Sequence, residues 1–284
     1  MLNSKTNLMK RIFQLLAVIS VFTFLASCKK HKDVIISPTP ITYDTDAQKF
    51  FDSSAISDTL QMFAINNMVK QLKDSSLWTK FMAIYPMVGD SPNTSKWNLK
   101  DPRNLDAAYR LTFNGTPTFS STGVLFSTTN DFADTHLNDS ILIYNDNSIS
   151  YFSRTQNATD GYDMGCTDYG IPFNEMAIYN KVDASNWFGY YDYGAAPSIT
   201  KGLFMLSATA NDVKRYENGL MSISKGSSPT MGFTGMEILI GSISGAPSVG
   251  QRECAMATIG NGLSDAQALT FYNIVTNFET KLNR

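Results

Sequence analysis

Two histidines, His31 and His136, are all that the 284 residues contain. A multi-histidine zinc site is therefore excluded, and a Ser-His-Asp triad would have to be built on His136. His136 lies in Ala133-Asp134-Thr135-His136-Leu137-Asn138, which reads as an exposed loop, and no nucleophile motif accompanies it. Glutamate is almost as scarce. It occurs only at 175, 217, 237, 253 and 279, and no two are spaced to share a strand face. A glycosidase needs two carboxylates across the scissile bond, and no such pair is visible. Basic excess is missing too: the formal net charge is -2 and the pI is near 5.7. Nothing is left over to neutralise phosphates, which excludes nucleic acid as a partner.

What is present favours strands. Eighteen Phe and thirteen Tyr stand among abundant Ser, Thr, Asn and Gly, a composition of pleated segments and polar turns rather than long helices. With 43% hydrophobic and 17% charged residues, the chain can bury one sizeable core plus an appendage.

Residues 1–27 are expected to be a signal peptide. Lys5, Lys10 and Arg11 precede an apolar run from Ile12 to Leu25 that is too short for a spanning helix. Leu25-Ala26-Ser27-Cys28 resembles a bacterial lipobox, which implies cleavage before Cys28, lipidation of that residue, and attachment to the cell envelope at the outer membrane through the lipid alone. Lys29-Lys30-His31-Lys32 would then lie at the headgroups, and residues 28–43, with two prolines and no amphipathic period, would form a tether. Export permits the remaining cysteines, Cys166 and Cys254, to form a disulfide; two separate buried thiols are the alternative.

Residues 44–95 are expected to form a helical segment packed on the domain. Asp44 to Ser53 fits a short helix, and Ser57 or Asp58 caps a longer one with Leu60, Ala64, Met68 and Leu72 on one stripe. Leu77 to Tyr85 continues it, and Pro86 ends the run. Strands are expected from residue 96 onward: Asp106–Phe113, Gly123–Ser127, Ser140–Tyr144, Ser148–Arg154, Tyr162–Cys166, Glu175–Val182, Trp187–Tyr193, Gly202–Ala208 and Met221–Lys225. The last helix starts at a capping box, Ser264 with Gln267, and its stripe is Leu269, Tyr272, Val275, Phe278 and Leu282.

Three landmarks close the chain: Tyr216-Glu217-Asn218-Gly219 as a tight hairpin, Glu237-Ile238-Leu239-Ile240-Gly241 as a buried strand stopped by glycine, and Leu263-Ser264-Asp265-Ala266-Gln267 as a helix start. In this order they resemble the concanavalin A-like lectin/glucanase superfamily, in its laminin-G-like branch. With the helical preamble and Trp97-Asn98-Leu99-Lys100-Asp101-Pro102 the chain is similar to concanavalin A-like proteins of Bacteroidetes and of phage-type surface structures. The resemblance implies a mainly β jelly-roll sandwich over residues 96–284, and a ligand that is a glycan or a cell-surface protein; a structural or adhesion module is the alternative, a hydrolase a third.

Two groups of residues are candidates for a site. This fold often carries calcium at its rim, and Asp131, Asp134 and Asp139, with Asn130 and Asn138, crowd one stretch; Asn157, Asp160 and Asp163 crowd another. Turn formation explains the same residues, and no other cofactor is implied. For a sugar, Asn186-Trp187-Phe188-Gly189-Tyr190-Tyr191-Asp192-Tyr193 is the densest aromatic stretch. On one strand, Trp187, Tyr191 and Tyr193 would share a face, and Phe188, Tyr190 and Asp192 the other.

Overall fold

The computed structural model describes residues 42–157, 159–168, 174–180, 186–187, 193–194, 199–210, 212–226, 233, 235–244 and 249–284; the leader, Cys28 and the tether up to residue 41 lie outside them. The elements are α1 (Thr45–Ser54), α2 (Thr59–Asp74), β1 (Phe81–Tyr85), the one-turn α3 (Pro92–Ser95), β2 (Thr112–Asn114), β3 (Thr118–Ser120), β4 (Gly123–Leu125), β5 (Phe132–Asn138), β6 (Asn147–Ser153), β7 (Gly161–Asp168), β8 (Asn174–Asn180), β9 (Asn186–Trp187), β10 (Tyr193–Gly194), β11 (Gly202–Thr209), β12 (Asp212–Glu217), β13 (Leu220–Ser224), β14 (Glu237–Ile240), β15 (Ile243–Ser244), β16 (Glu253–Gly260) and α4 (Asp265–Lys281). The architecture is a mainly β sandwich with helices before it and a helix at its close. Among the described residues, no helix is long and apolar enough to cross a membrane.

An eight-stranded sheet runs β13-β12-β11-β6-β16-β4-β3 with β1 also beside β16, and a six-stranded sheet runs β15-β7-β14-β5-β2 with β8 beside β7. β16 is central. One edge pairs with β6, and the other is divided between β4 at Glu253 and Cys254 and β1 from Ala257 to Gly260. Ile149, Tyr151, Phe204, Leu206 and Ile259 of the large sheet meet Leu137, Met164, Met176, Ile178 and Ile240 of the small one. The large sheet is apolar on its second face as well: Leu203, Met205, Tyr216 and Met256 join one cluster with Phe50, Ile65, Met68, Phe271, Val275 and Phe278 of the helices. Leu203-Phe204-Met205-Leu206 is thus an unbroken apolar run because alternate residues go to two different cores. The result is three layers, helices on sheet on sheet.

Local chemistry fixes several joints. The side chains of Asp44, Asp58 and Ser264 cap α1, α2 and α4, the last with a full capping box through Gln267. Asn218 (φ 51°) and Gly219 (φ 78°) make the β12–β13 turn, and a Cβ on Gly219 would lie 2.7 Å from the Tyr272 side chain, so both conformation and space demand glycine there.

Four expectations need correction. Leu77–Tyr85 does not continue the helix: Trp78–Lys80 is a single 3-10 turn and Phe81–Tyr85 is β1, antiparallel to β16. Five consecutive apolar residues carry no period that separates strand from helix. The free edge of β1 is closed by Asn98, whose Oδ1 accepts from Ile84 N at 3.0 Å and whose Nδ2 donates to the carbonyls of Met82 and Ala108. Asp106–Phe113 divides into a 3-10 turn at Asp106–Ala108 and the short β2. Ser140–Tyr144 is no strand, since Asp139–Ile141 turns as a 3-10 helix. In α4 the buried stripe is Ala268, Phe271, Ile274, Val275 and Phe278, and Leu269 is 42% exposed. A stripe read at steps of three and four can start one residue late; contact with the sheet decides the phase.

Candidate functional site

The helices put their apolar faces on the eight-stranded sheet. The outer face of the six-stranded sheet is buried along its middle, at Leu239, Ala177 and Thr167, and carries partly exposed polar side chains toward β5 and β2. Strand alternation sends Ala133, Leu137, Ile238 and Ile240 inward, so their neighbours Asp134 and His136 of β5 and Glu237 of β14 stand on the outer side, next to Thr112 of β2.

β5 is not a regular strand at this point. Leu239 pairs with Asp134 and Glu237 with Asn138, so three residues of β5 bulge against the single Ile238. His136 sits at the bulge with φ 54°, an uncommon conformation for a residue with a side chain. Side chains hold it there. Thr135 Oγ1 donates to Ile238 O at 2.7 Å and accepts from Leu137 N at 3.1 Å, while Asp134 Oδ1 accepts from His136 N at 2.8 Å. The imidazole is directed at polar groups: Nε2 is 2.8 Å from Thr112 Oγ1 and 3.6 Å from Asp106 Oδ1, and Nδ1 is 3.8 Å from Asp134 Oδ2. Arg110 in turn pairs with Asp106. Beside them, Glu237 has its pKa raised by burial first and by the Asp134 charge second, and its Oε2 is buried without a hydrogen-bond partner. Reading His136 as an exposed loop histidine is thus corrected: it is a strand residue, 24% exposed, set in a row of hydroxyl, imidazole and carboxylate groups.

The other side of the sheet supplies aromatics. Tyr162 of β7 and Tyr179 of β8 are cross-strand partners with ring centroids 4.7 Å apart at 60°, and Tyr162 Oη donates to Glu175 Oε2 at 2.9 Å. Both rings are half-buried. Glu175 is buried, which raises its pKa. Beyond β8 comes the aromatic stretch chosen from the sequence. It is not one strand: β9 and β10 form a small antiparallel hairpin in which Trp187 is paired with Tyr193. Tyr190, Tyr191 and Asp192 lie outside the described residues, as do the side chains of Trp187 and Tyr193. The assignment of these residues to two faces of a single strand falls with the strand.

The calcium candidates do not converge. Asp131 is buried, with Oδ1 accepting from Thr116 N at 2.7 Å and Oδ2 from Ser127 N and Thr128 N at 3.1 and 2.9 Å. Burial alone would raise its pKa, but these backbone donors lower it. Asp139 accepts from the backbone N–H of Gly235 and Met236 through Oδ1 and faces Cys166 Sγ at 3.8 Å through Oδ2. Asp134 serves the bulge. Each carboxylate organises a different turn, and among the described residues no group of three or more His, Cys, Asp or Glu is placed to hold a metal ion.

The disulfide is corrected as well. Cys166 and Cys254 are both free and buried, one on β7 and one on β16, in different sheets. Facing sheets pack about 10 Å apart, whereas bridged Cα atoms lie about 4.4–6.8 Å apart. Burial raises both thiol pKa values well above the ordinary range, with Asp139 adding to the effect at Cys166, so neither is a ready nucleophile.

No protein-family model matches the chain, and no curated protein matches it. Among solved structures it is similar to a mutant of Trypanosoma rangeli sialidase displaying trans-sialidase activity, with a TM-score of 0.51 and 8% identity over 76% of this chain and 39% of that one. It is also similar to domain 4 of AbnA, a GH43 extracellular arabinanase from Geobacillus stearothermophilus in complex with arabinotriose (TM-score 0.43, 15% identity, 68% of this chain and 98% of that one). A third is the botulinum neurotoxin serotype D binding domain (TM-score 0.40, 12% identity, 70% of this chain and 52% of that one). The chain spans about two fifths of the sialidase's length. At 8% identity the likeness to the sialidase is one of fold alone.

Proposed function

We propose that the protein is a non-catalytic, lectin-like module of the bacterial cell surface, held to the outer membrane by lipid on Cys28, that binds a glycan on the outer face of its six-stranded sheet. The observation that carries this reading is the make-up of that face. A row of Thr112, His136, Asp134 and Glu237 offers hydroxyl, imidazole and carboxylate groups to sugar hydroxyls, and Tyr162 and Tyr179 offer rings to the apolar C–H side of a pyranose. Sugar binding needs both kinds of group. The non-catalytic reading is supported by the lack of a paired-glutamate strand in a chain with five glutamates.

A glycan-array screen of the protein tests the reading. Binding should be lost in Thr112→Ala, His136→Ala and Tyr179→Ala variants that keep their fold. Retention of every array signal by all three would remove this face from the site, and an array without any signal would favour a cell-surface protein as the ligand. Anchoring is tested separately: Cys28→Ala should move the protein out of the membrane fraction, because the acyl chains supply the membrane affinity. Continued membrane retention of that variant would overturn the lipoprotein assignment.

A further inference from the structure

We propose a second ligand site in the helical layer: the pocket between α1 and the Leu99–Arg103 segment binds a small carboxylate-bearing sugar, a uronic acid, with Lys100 as the residue that recognises the carboxylate. The pocket is a half-open depression of about 430 Å³, a volume suited to a ligand of this size.

The charges that line it are unevenly satisfied. Lys49 Nζ lies 3.3 Å from Asp46 Oδ1, and Arg103 forks onto Asp101 at 2.7 and 2.5 Å. Lys73 reinforces Asp46 from α2 at 2.7 Å. Lys100 differs from these cations in having, among the described residues, no carboxylate within ion-pair distance. Its Nζ donates to Trp78 O at 2.6 Å and stands 3.8 Å from the centre of the Trp78 ring, which fixes the ammonium in place. An ammonium has three donors, and the carbonyl uses one. Burial lowers its pKa to about 8, the direction expected of a charge short of compensation, which a bound anion would supply.

The rest of the lining points to a sugar rather than to a simple acid. Among the described residues Asp52 accepts only from Gln48 Nε2, at 2.8 Å, which leaves lone pairs for ligand hydroxyls. Ser53 adds a hydroxyl, and Pro102 an apolar surface. Simple anions would meet three carboxylates with little to gain beyond Lys100. A polyol with one carboxylate can use Lys100 and Asp52 together.

The experiment is a calorimetric titration of the protein with D-glucuronate and D-galacturonate against D-glucose and D-galactose at constant ionic strength, with the Lys100 Nζ resonance followed in parallel. A uronate should bind about tenfold more tightly than its neutral counterpart, Lys100→Met should lose about tenfold, and Lys100→Arg should retain binding. Binding should fade as the pH rises through about 8, as Lys100 loses its proton. The other charges facing it are Asp46, Lys49 and Asp52 from α1, Lys73 from α2, and Asp101 and Arg103 from its own segment. Equal affinity for uronate and neutral sugar, binding unchanged in a folded Lys100→Met variant, or no movement of the Lys100 resonance with either uronate would overturn the proposal. If Lys100→Met does not fold, the resonance in the unmutated protein decides. The variants of the six-stranded face should leave uronate binding unchanged, so the two sites stand or fall separately.

Discussion

The eight-stranded sheet packs one face in the sandwich core and the other beneath the helices, whereas the six-stranded sheet packs one in the sandwich core and sets partly exposed ionisable and aromatic residues at the margins of the other, whose middle is buried at Leu239 and Ala177. The strands show the difference. β11 reads Leu203-Phe204-Met205-Leu206, apolar at every position, while β5 alternates inward Ala133 and Leu137 with outward Asp134 and His136. The first sheet is framework, and substitution in it is felt as stability. The second can vary the partly exposed Thr112, Asp134 and His136 at its margin without disturbing either core, which is the freedom a recognition surface needs.

Removal of everything after Gly262 should break that comparison most severely. It takes away the part of the second core contributed by Phe271, Val275 and Phe278, each worth about 1.5–3 kcal/mol of burial, comparable together with the net stability of a domain, about 5–15 kcal/mol. The expected outcome is insoluble protein or loss of cooperative melting; an unchanged melting temperature would show that the large sheet does not depend on its helical cover. Phe271→Ala alone should cost about 3–5 kcal/mol by denaturant titration.

Asp131→Asn is next, at about 1–3 kcal/mol, since an amide cannot accept from all three backbone donors as the carboxylate does. The folded pKa of Asp131 lies below the ordinary value. Its stabilising contribution is therefore present above the unfolded value of about 3.9 and is lost as pH falls through the folded value. Melting curves of wild type and variant should differ at neutral pH and converge in acid. Convergence already at neutral pH would mean that Asp131 holds nothing.

His136→Ala and Tyr179→Ala, on the outer face, should move stability by about 1 kcal/mol or less while altering ligand binding. A loss as large as that of Phe271→Ala would place these residues in the framework and erase the distinction between the sheets. The smallest effect is expected from a reducing agent: the melting temperature should not change, and thiol titration of the unfolded chain should find Cys166 and Cys254 both reactive without prior reduction.

Legibility in the sequence followed the range of the forces involved. Asn218-Gly219 and the Ser264–Gln267 capping box could be read directly, because the residues that set the backbone are the ones that need it. β1 could not, since an apolar pentapeptide becomes a strand only where β16 offers an edge. The His136 bulge depends on Thr135 reaching Ile238, 103 residues away, and no local pattern announces it. The cysteines failed for the same reason, as membership of two different sheets is a tertiary fact. The aromatic stretch at Trp187 was visible as composition, but its division into a hairpin was not.

Asn98 carries a last consequence. Its amide is used at both ends: the oxygen accepts from Ile84 N and Lys100 N, and the nitrogen donates to Met82 O and Ala108 O. Aspartate has nearly the same shape and would normally be counted a mild replacement, yet here it would turn an acceptor toward two carbonyl oxygens and bring a charge into a buried position. Slow hydrolysis of that one amide, a common form of ageing in stored protein, would thus undo the hem of the large sheet without removing a single carbon atom, and a mass increase of about one dalton at Asn98 is the sign by which a failing preparation would be recognised.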